Sequence, residues 1–296
     1  MNLSQKGKNN IMTIGVIGPG AVGTTIAIEL QQAYPDTLLI GKQKNTLNYF
    51  PENGHLSKTI SVTPYQDITQ PLDIVFIAVK TYQLETVITQ LSPIIHEETI
   101  IILAQNGYGQ LELIPYPNSY QAVVYISGQK NNNDVTHFRD YRLHLKDTPR
   151  TRKLQKLTDQ TNIEIILEEN IEKIIWYKLL VNLGINSITA LGRDTAKLLH
   201  SSHIRDICRG IISEGIAVAR AEGLNFDVNT LNSIMTIYEG YPDQMGTSMY
   251  YDITSGRPLE MESIQGYIYR KAQEYNITTP YLNMVYAFLS AYQSQF

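Results

Sequence analysis

Three glycines near the start of the chain, Gly18, Gly20 and Gly23, have the spacing of a phosphate-binding turn. An apolar segment, I-M-T-I-G-V-I at 11–17, precedes them, and a helical pattern follows at 24–33. In a dinucleotide-binding turn, the first glycine permits the tight turn, the second lets the backbone approach a pyrophosphate, and the third lets the helix pack on the strand. The alternative is an ordinary glycine-rich turn. The predicted cofactor loop consists of Gly18, Pro19, Gly20, Ala21, Val22 and Gly23.

The second predicted strand, T-L-L-I at 37–40, bears on which dinucleotide would bind, since G-K-Q-K follows it at 41–44. An NAD-preferring site usually has Asp or Glu about 20 residues after the glycines, where the carboxylate binds the ribose 2′-hydroxyl. This sequence has Lys42 and Lys44 instead, and their positive charge matches a 2′-phosphate. The pattern favours NADP(H) as the cofactor, with a pair of solvated loop lysines as the alternative.

Polar residues also follow two continuous apolar runs, at 71–80 and 99–104, of the kind that a strand buried on both faces shows. Lys80 ends the first run, and Gln105 and Asn106 follow the second. In open parallel sheets the ligand lies outside the carboxyl ends of the strands, so these three residues are candidate cofactor or substrate contacts. For each of them, a helix cap or a loop position is the alternative.

A third group of polar residues lies in a long helical pattern that begins at 171. Lys178, Asn182 and Asn186 are spaced at i, i+4 and i+8, so they share one helix face among apolar neighbours. A solvent-facing stripe, or amides bonded to neighbouring helices, would explain any single asparagine. A lysine together with two asparagines is also a set of groups that could bind and protonate a polar substrate.

The periodicity of the chain divides it into two domains. Strand-like pieces between 121 and 167 surround a polar, Asn-rich loop at 128–134. A slack surface loop without a function is a more ordinary explanation for it than a lid. Beyond Glu169 the pattern is almost wholly helical. The sequence therefore predicts an α/β domain at 1–169 and a helical domain at 170–296.

Composition excludes several classes of protein. The 24 Lys+Arg and 28 Asp+Glu give a net charge of -4 without a long basic run, which argues against a nucleic-acid partner. The single cysteine, Cys208, cannot form an intramolecular disulfide, so we expect a cytoplasmic protein with a buried thiol. The sequence has no run of 18 uninterrupted apolar residues, so it predicts no membrane span. The six histidines form no H-E-x-x-H motif, and we expect no metal site.

Five motifs, in order along the chain, resemble the ketopantoate reductase family, also called 2-dehydropantoate 2-reductase. The resemblance extends from residue 11 to about residue 281. It is carried by G-P-G-A-V-G at 18–23, A-V-K at 78–80, Q-N-G at 105–107, W-Y-K-L-L-V-N at 176–182 with Asn186, and S-M-Y-Y-D-I-T-S-G-R-P-L-E at 248–260.

The resemblance implies an N-terminal Rossmann domain with a doubly wound parallel sheet, an all-helical C-terminal domain, and NADPH and ketopantoate bound between them. It implies reduction of the 2-oxo group to give (R)-pantoate, for pantothenate and coenzyme A biosynthesis, and a homodimer. Lys178 matches the catalytic lysine and Glu260 the active-site glutamate. The other matching positions are Asn182, Asn186 and Ser248 for substrate, Lys80 for cofactor, Asn106 for both, and Asp252 in a supporting role.

Three segments depart from the family pattern and leave the substrate open. The segment 128–140 is Asn-rich where relatives tend to carry glycines, A-L-G-R-D-T at 190–195 introduces charge, and N-I-T-T-P at 276–280 follows the usual motif loosely. A reductase of another 2-oxo acid is therefore one alternative. A non-catalytic NADP(H)-binding sensor is another. Such a sensor would lack the lysine or the glutamate, and this sequence has both.

Overall fold

The chain forms two compact units in the structure, a computed structural model that describes residues 12–52 and 57–296. The α/β unit consists of the described residues up to Gln105 together with Ile114–Leu167. The helical unit consists of Asn106–Leu113 together with Glu168–Phe296. The sequence predicts a single boundary near Glu169, whereas the short segment after Gln105 groups with helices that come later in the chain. Residue 11 of the first predicted strand and His55 lie outside the described residues.

The α/β unit is built on one sheet, which has ten strands within the described residues. They are β1 (Ile14–Ile17), β2 (Leu38–Gly41), β3 (Asn45–Phe50), β4 (Lys58–Pro64), β5 (Leu72–Ile77), β6 (Ile95–Leu103), β7 (Ser119–Gln121), β8 (Val123–Asn131), β9 (Asp134–Lys146) and β10 (Glu164–Glu168). Six of them run parallel in the order β4-β2-β1-β5-β6-β7. This is the doubly wound order of dinucleotide-binding folds, in which the winding reverses between β1 and β5. The predicted Rossmann sheet is confirmed.

Apolar runs place the central strands in the interior. Val75, Phe76 and Ile77 of β5 are each 0% exposed, as expected for a parallel strand that is covered on both faces. The helices of this unit are α1 (Ala21–Leu30), α2 (Leu84–Leu91) and α3 (Pro149–Thr158). Helix α1 packs against β1 and β2 and also against β8 and β9. The start of α1, where the glycine motif lies, is therefore held by the sheet and by a hairpin from later in the chain.

That hairpin corrects the prediction for the Asn-rich segment. Strands β8 and β9 are antiparallel and pair as far as Asn131 with Asp134, so the connection is two residues long. Asn132 has a φ of 53°, a left-handed conformation that asparagine tolerates better than most residues. The segment predicted as a polar loop is mostly strand, and the prediction of a lid or a slack loop at 128–134 was wrong.

The helical unit has six α-helices within the described residues, as its all-helical prediction requires. They are α4 (Ile171–Gly192), α5 (Ser202–Ala221), α6 (Thr230–Glu239), α7 (Ser248–Thr254), α8 (Gln265–Glu274) and α9 (Pro280–Gln293). Cys208 on α5 is buried, and burial raises the pKa of its thiol to about 12, so the thiol stays protonated and unreactive at neutral pH. The carboxylate of Glu214 caps α9 by accepting the N–H groups of Tyr281 and Leu282 at 3.0 and 2.8 Å.

Helix α4 is the core of this unit. The side chain of Asn170 caps its first turn by accepting the N–H of Lys173, and α4 then packs against α5, α7 and α9. Among the described residues it is the one helix long and apolar enough to cross a bilayer by length and composition, but 67% of its most apolar window is buried inside the protein. Packing within the unit accounts for its apolar composition.

Candidate active site

The glycine loop has the backbone geometry that an anion-binding turn needs. Gly18 has a φ of 111°, and a Cβ there would lie 2.7 Å from the backbone nitrogen of Val79. A Cβ on Gly23 would overlap the carbonyl oxygen of Gly18, whereas one on Gly20 would meet no atom within 4 Å. Helix α1 begins at Ala21, directly after Gly20, and has no acidic side chain in its first turn. Its free N–H groups therefore present a positive end that no carboxylate of that turn neutralises.

The end of β2 lies beside this loop. The N–H of Gly18 donates to the carbonyl of Ile40 at 3.0 Å, and a Cβ on Gly41 would lie 3.1 Å from the ring of Pro19. Lys42 and Lys44 follow directly and are both exposed. Two exposed lysines therefore follow the strand whose end contacts the predicted cofactor loop.

The ends of β5 and β6 are joined by a buried side chain. Gln105 is 4% exposed, and its Nε2 donates to the carbonyl of Val79 at 2.8 Å. Its Oε1 is buried and has no hydrogen-bond partner among the residues that the structure describes. Lys80 follows Val79, is half-buried, and starts a short 3₁₀ turn at Thr81–Gln83. Gln105 therefore has a structural bond on one side and an unused acceptor on the other.

Lys130 on β8 is a residue near the loop that sequence reasoning missed. Its Nζ donates to the carbonyl oxygen of Pro19 at 2.7 Å, and burial lowers the pKa of its ammonium group. Gly128 on the same strand comes close to Ala21, with a Cβ there 3.3 Å from that of the alanine. The hairpin therefore brings a lysine to the glycine loop from 111 residues away in sequence.

In the helical unit, α4 presents Lys178, Asn182 and Asn186 on one face. Lys178 and Asn182 are half-buried, and Asn186 is 4% exposed. Burial lowers the pKa of Lys178 to about 8, and the nearby carboxylate of Glu260 acts in the opposite direction. An amine with this pKa exchanges its proton readily near neutral pH, which suits a proton donor.

Glu260 belongs to a compact turn after α7. The residue is 5% exposed and precedes the 3₁₀ turn Met261–Ser263. The hydroxyl of Ser263 donates to its carbonyl oxygen at 3.0 Å. Because Glu260 interacts electrostatically with Lys178, the structure brings together the two residues that the resemblance assigns to catalysis.

Helix α7 carries two more of the predicted residues, Ser248 and Asp252, and packs on α4. Ser248 is exposed at its first position, and the hydroxyls of Thr247 and Thr189 join the two helices at 2.7 Å. Asp252 is 4% exposed and pairs with Arg257, whose Nε lies 3.0 Å from Oδ1. This bond fits a supporting role for Asp252, since its carboxylate holds the turn after α7.

Asn106 lies in the helical unit although it follows a strand of the sheet. It is half-buried, and its carbonyl accepts the side-chain amide of Gln110 at 2.9 Å. The glycine loop, Lys42, Lys44 and Lys80 belong to the α/β unit. Across the described residues, no group of three or more His, Cys, Asp or Glu side chains could hold a metal ion.

Comparison with known proteins decides the family. Residues 14–150 match the model described as Ketopantoate reductase PanE/ApbA, and residues 170–293 match the model for the C-terminal part of the same proteins. The chain belongs to the ketopantoate reductase family. The resemblance drawn from the five sequence motifs is therefore confirmed, and the chain is an NAD(P)H-dependent oxidoreductase that acts on a small molecule.

Individual members of the ketopantoate reductase family agree over nearly the whole length. A structure described as a dimeric ketopantoate reductase from Staphylococcus aureus is 56% identical, covers 96% of this chain and 99% of its own, and superposes with a TM-score of 0.94. A 2-dehydropantoate 2-reductase of Mycobacterium tuberculosis is 27% identical over 94% of this chain and 97% of its own length. A D-mandelate dehydrogenase with NADH and anilino(oxo)acetate shares the fold, with a TM-score of 0.85 at 21% identity.

The residues of this family member fit a nicotinamide dinucleotide. Gly20 leaves open space beside the start of α1, where a pyrophosphate would approach the backbone. The buried Oε1 of Gln105 offers an acceptor at the carboxyl ends of β5 and β6. These features belong to the backbone and to uncharged groups, so they fit NADH and NADPH equally.

Proposed function

We propose that this chain reduces ketopantoate to (R)-pantoate with NADPH, as a step in pantothenate and coenzyme A biosynthesis. The observation that carries the proposal is the environment of Lys178, whose pKa lies at about 8 beside the Glu260 carboxylate on a helix face with two asparagines. A ketone that accepts hydride develops negative charge on its oxygen. A lysine that is still protonated at neutral pH but is easily deprotonated can both stabilise that charge and supply the proton.

The reduced nicotinamide, when bound, supplies the hydride to C2 of the substrate. The protein's part is to hold the ketone and deliver a proton from Nζ of Lys178 to the carbonyl oxygen. Proton transfer of this kind contributes typically about 10²–10⁴-fold to the rate. After transfer, the neutral amine regains its proton from solvent.

Glu260 sets the charge state of that lysine. Without a nearby carboxylate, burial would lower the pKa of Lys178 further, and a smaller fraction of the amine would be protonated at a given pH. Asn182, Asn186 and Ser248 offer neutral donors and acceptors, which we assign to the carboxylate and hydroxyl groups of the substrate. Asn106 is assigned to both substrate and cofactor, and Lys80 to cofactor.

The positive charge of two lysines is the reason for proposing NADPH over NADH. Lys42 and Lys44 are exposed directly after β2, where a family member that prefers NAD would carry an acidic residue for the ribose 2′-hydroxyl. Two ammonium groups there favour the additional 2′-phosphate of NADPH.

We further infer a homodimer, supported by the relative from Staphylococcus aureus that is described as dimeric. A cytoplasmic location is supported by the single cysteine, Cys208, which is buried as a free thiol.

The test is the loss of NADPH absorbance with purified protein and ketopantoate, with 2-oxoisovalerate, NADH and a reaction without substrate in parallel. We expect fast turnover with ketopantoate and NADPH, and slow turnover in the other reactions. Faster turnover of 2-oxoisovalerate would move the assignment to another 2-oxo acid. Tight NADPH binding by calorimetry without turnover of either acid would instead indicate a reductase of a different substrate or a sensor, and the proposal would be wrong.

A further inference from the structure

Tyr108 joins the turn that carries Asn106 to other segments of the helical unit. The backbone N–H of Tyr108 donates to the carbonyl oxygen of Ser263 at 2.8 Å, and its hydroxyl donates to Oε1 of Glu172 at 3.0 Å. Its ring centroid lies 4.9 Å from that of Tyr267 and 6.5 Å from that of Trp176. One side chain thus contacts both α4 and the segment that begins α8.

Two glycines allow this close approach. Gly107 has a φ of 88°, and a Cβ on it would lie 2.5 Å from the carbonyl oxygen of Ser263. Gly109 has a φ of 95°, and a Cβ on it would lie 3.2 Å from the ring of Tyr267. Any other residue at either position would be strained in its backbone conformation and crowded against these neighbours. The sequence N-G-Y-G therefore forms a turn shaped to lie against the 263–267 segment.

The contacts of Tyr108 fall on the two segments that carry the proposed catalytic pair. Trp176 precedes Lys178 by two residues on α4, and Ser263 follows Glu260 by three residues and bonds to its carbonyl. The other side of the turn is tied by Gln110, which is 3% exposed and donates to the carbonyl of Asn106. The turn that carries Asn106 therefore packs on the two segments that carry Lys178 and Glu260.

We propose that Tyr108 is a positioning residue that fixes Asn106 relative to Lys178 and Glu260. This inference rests on the proposed function, in which Asn106 contacts the substrate. A displacement of about 1 Å in a substrate-binding group can lower a rate by 10²-fold, so loss of the anchor should be visible in catalysis. The part of the molecule that Tyr108 affects is the turn at 106–113, and the predicted effect on rate should pass through Asn106 alone.

The test is a double-mutant cycle of Tyr108→Ala and Asn106→Ala, measured as kcat and KM for ketopantoate. Tyr108→Ala alone should lower kcat by at least about tenfold. In the Asn106→Ala background the same change should have less than about a threefold further effect, because the group that it positions is already absent. Equal effects in both backgrounds would show a general structural role and overturn the inference.

Two further variants separate anchoring from misfolding. Tyr108→Phe keeps the ring contacts and loses only the bond to Glu172, so it should keep more activity than Tyr108→Ala. Tyr286→Ala is the matched control, since Tyr286 also pairs with an aromatic ring, Tyr269, and donates to a carboxylate, that of Glu262, at 3.0 Å. Tyr286→Ala should leave kcat within about threefold of the original protein, because Tyr286 has no such bond to the turn at 106–113.

A measurement on the protein without substrate distinguishes failure of this inference from failure of the proposed function. Amide hydrogen exchange of peptides that cover 106–113 should be slow in the original protein and faster in Tyr108→Ala, with exchange of α4 unchanged. Unchanged exchange in that segment would overturn the anchor whatever the substrate is. Absence of ketopantoate turnover in the original protein, with the exchange result as expected, would overturn the proposed function and also the assignment of Asn106 to that substrate.

Discussion

The ammonium group of Lys130 lies 2.7 Å from the carbonyl oxygen of Pro19 and so joins the β8–β9 hairpin to the glycine loop. A lysine ammonium has three donors, and one bond to a carbonyl oxygen leaves donors available to a second acceptor. The residue is half-buried, so its charge is partly removed from water and the pKa of its ammonium group is lowered. A dinucleotide pyrophosphate on the loop would place negative charge near a cation that is incompletely solvated.

Lys130→Met should therefore weaken NADPH binding. Methionine keeps the apolar stem and removes the charge, and we expect Kd to rise about fivefold, equivalent to about 1 kcal/mol. Calorimetric titration at low and high salt measures this, and the difference between the two proteins should shrink as salt rises. Lys146→Met, an exposed lysine at the end of β9, is the control. An unchanged Kd would restrict Lys130 to holding the hairpin.

Lys178→Ala tests the proton donor. We expect kcat for ketopantoate to fall by at least about 10²-fold, with Kd for NADPH nearly unchanged, because the lost interaction forms as charge develops on the substrate oxygen. Lys173→Ala is the matched control on the same helix, where the ammonium group lies 6.0 Å from the ring of Phe226. Steady-state kinetics together with calorimetry separate the two quantities. Retention of full turnover in Lys178→Ala would show that another group supplies the proton.

The pH profile follows from the charge of Lys178. Reduction needs the protonated amine, so kcat/KM should fall as pH rises through about 8, the value to which burial lowers the pKa of this lysine. Glu260 raises that pKa, and Glu260→Gln should therefore move the falling limb to lower pH in addition to reducing the rate. The measurement is kcat/KM for ketopantoate across this range. A limb that stays in place in Glu260→Gln would contradict the electrostatic coupling of the two residues.

Sequence patterns predicted the parts of this molecule whose signal is local. The carboxyl-terminal parts of β5 and β6 are continuous apolar runs, and the glycine spacing at 18–23 needs only its own neighbours to be recognised. The strand pair β3 and β4 was not predicted, because each buries alternate residues among polar ones, in the patterns N-T-L-N-Y-F and K-T-I-S-V-T-P. They pair antiparallel with each other, and the strands that hold this pair in the sheet, β9 beside β3 and β2 beside β4, lie elsewhere in the chain.

The candidate site divides in the same way. Lys178, Asn182 and Asn186 could be grouped from helical spacing alone. The contacts of Lys130 and Tyr108 could not be predicted, because they depend on a hairpin register and on a turn that packs against helices more than 60 residues later. A polar stretch with three consecutive asparagines is typical of a loop, and the long ladder between β8 and β9 overrides that preference.

Cofactor preference gives the sharpest test of the exposed lysines. Replacing Lys42 and Lys44 together by alanine should raise Kd for NADPH by about tenfold and leave Kd for NADH within about twofold, because the ribose 2′-phosphate is the group that they are assigned to bind. Lys58→Ala at the start of β4, also exposed, is the control for loss of general positive charge. Titration with 2′,5′-ADP and with ADP isolates the phosphate, and only the first should bind more weakly to the double variant. Equal weakening of NADPH and NADH would show that the lysines attract any dinucleotide and do not select between the two.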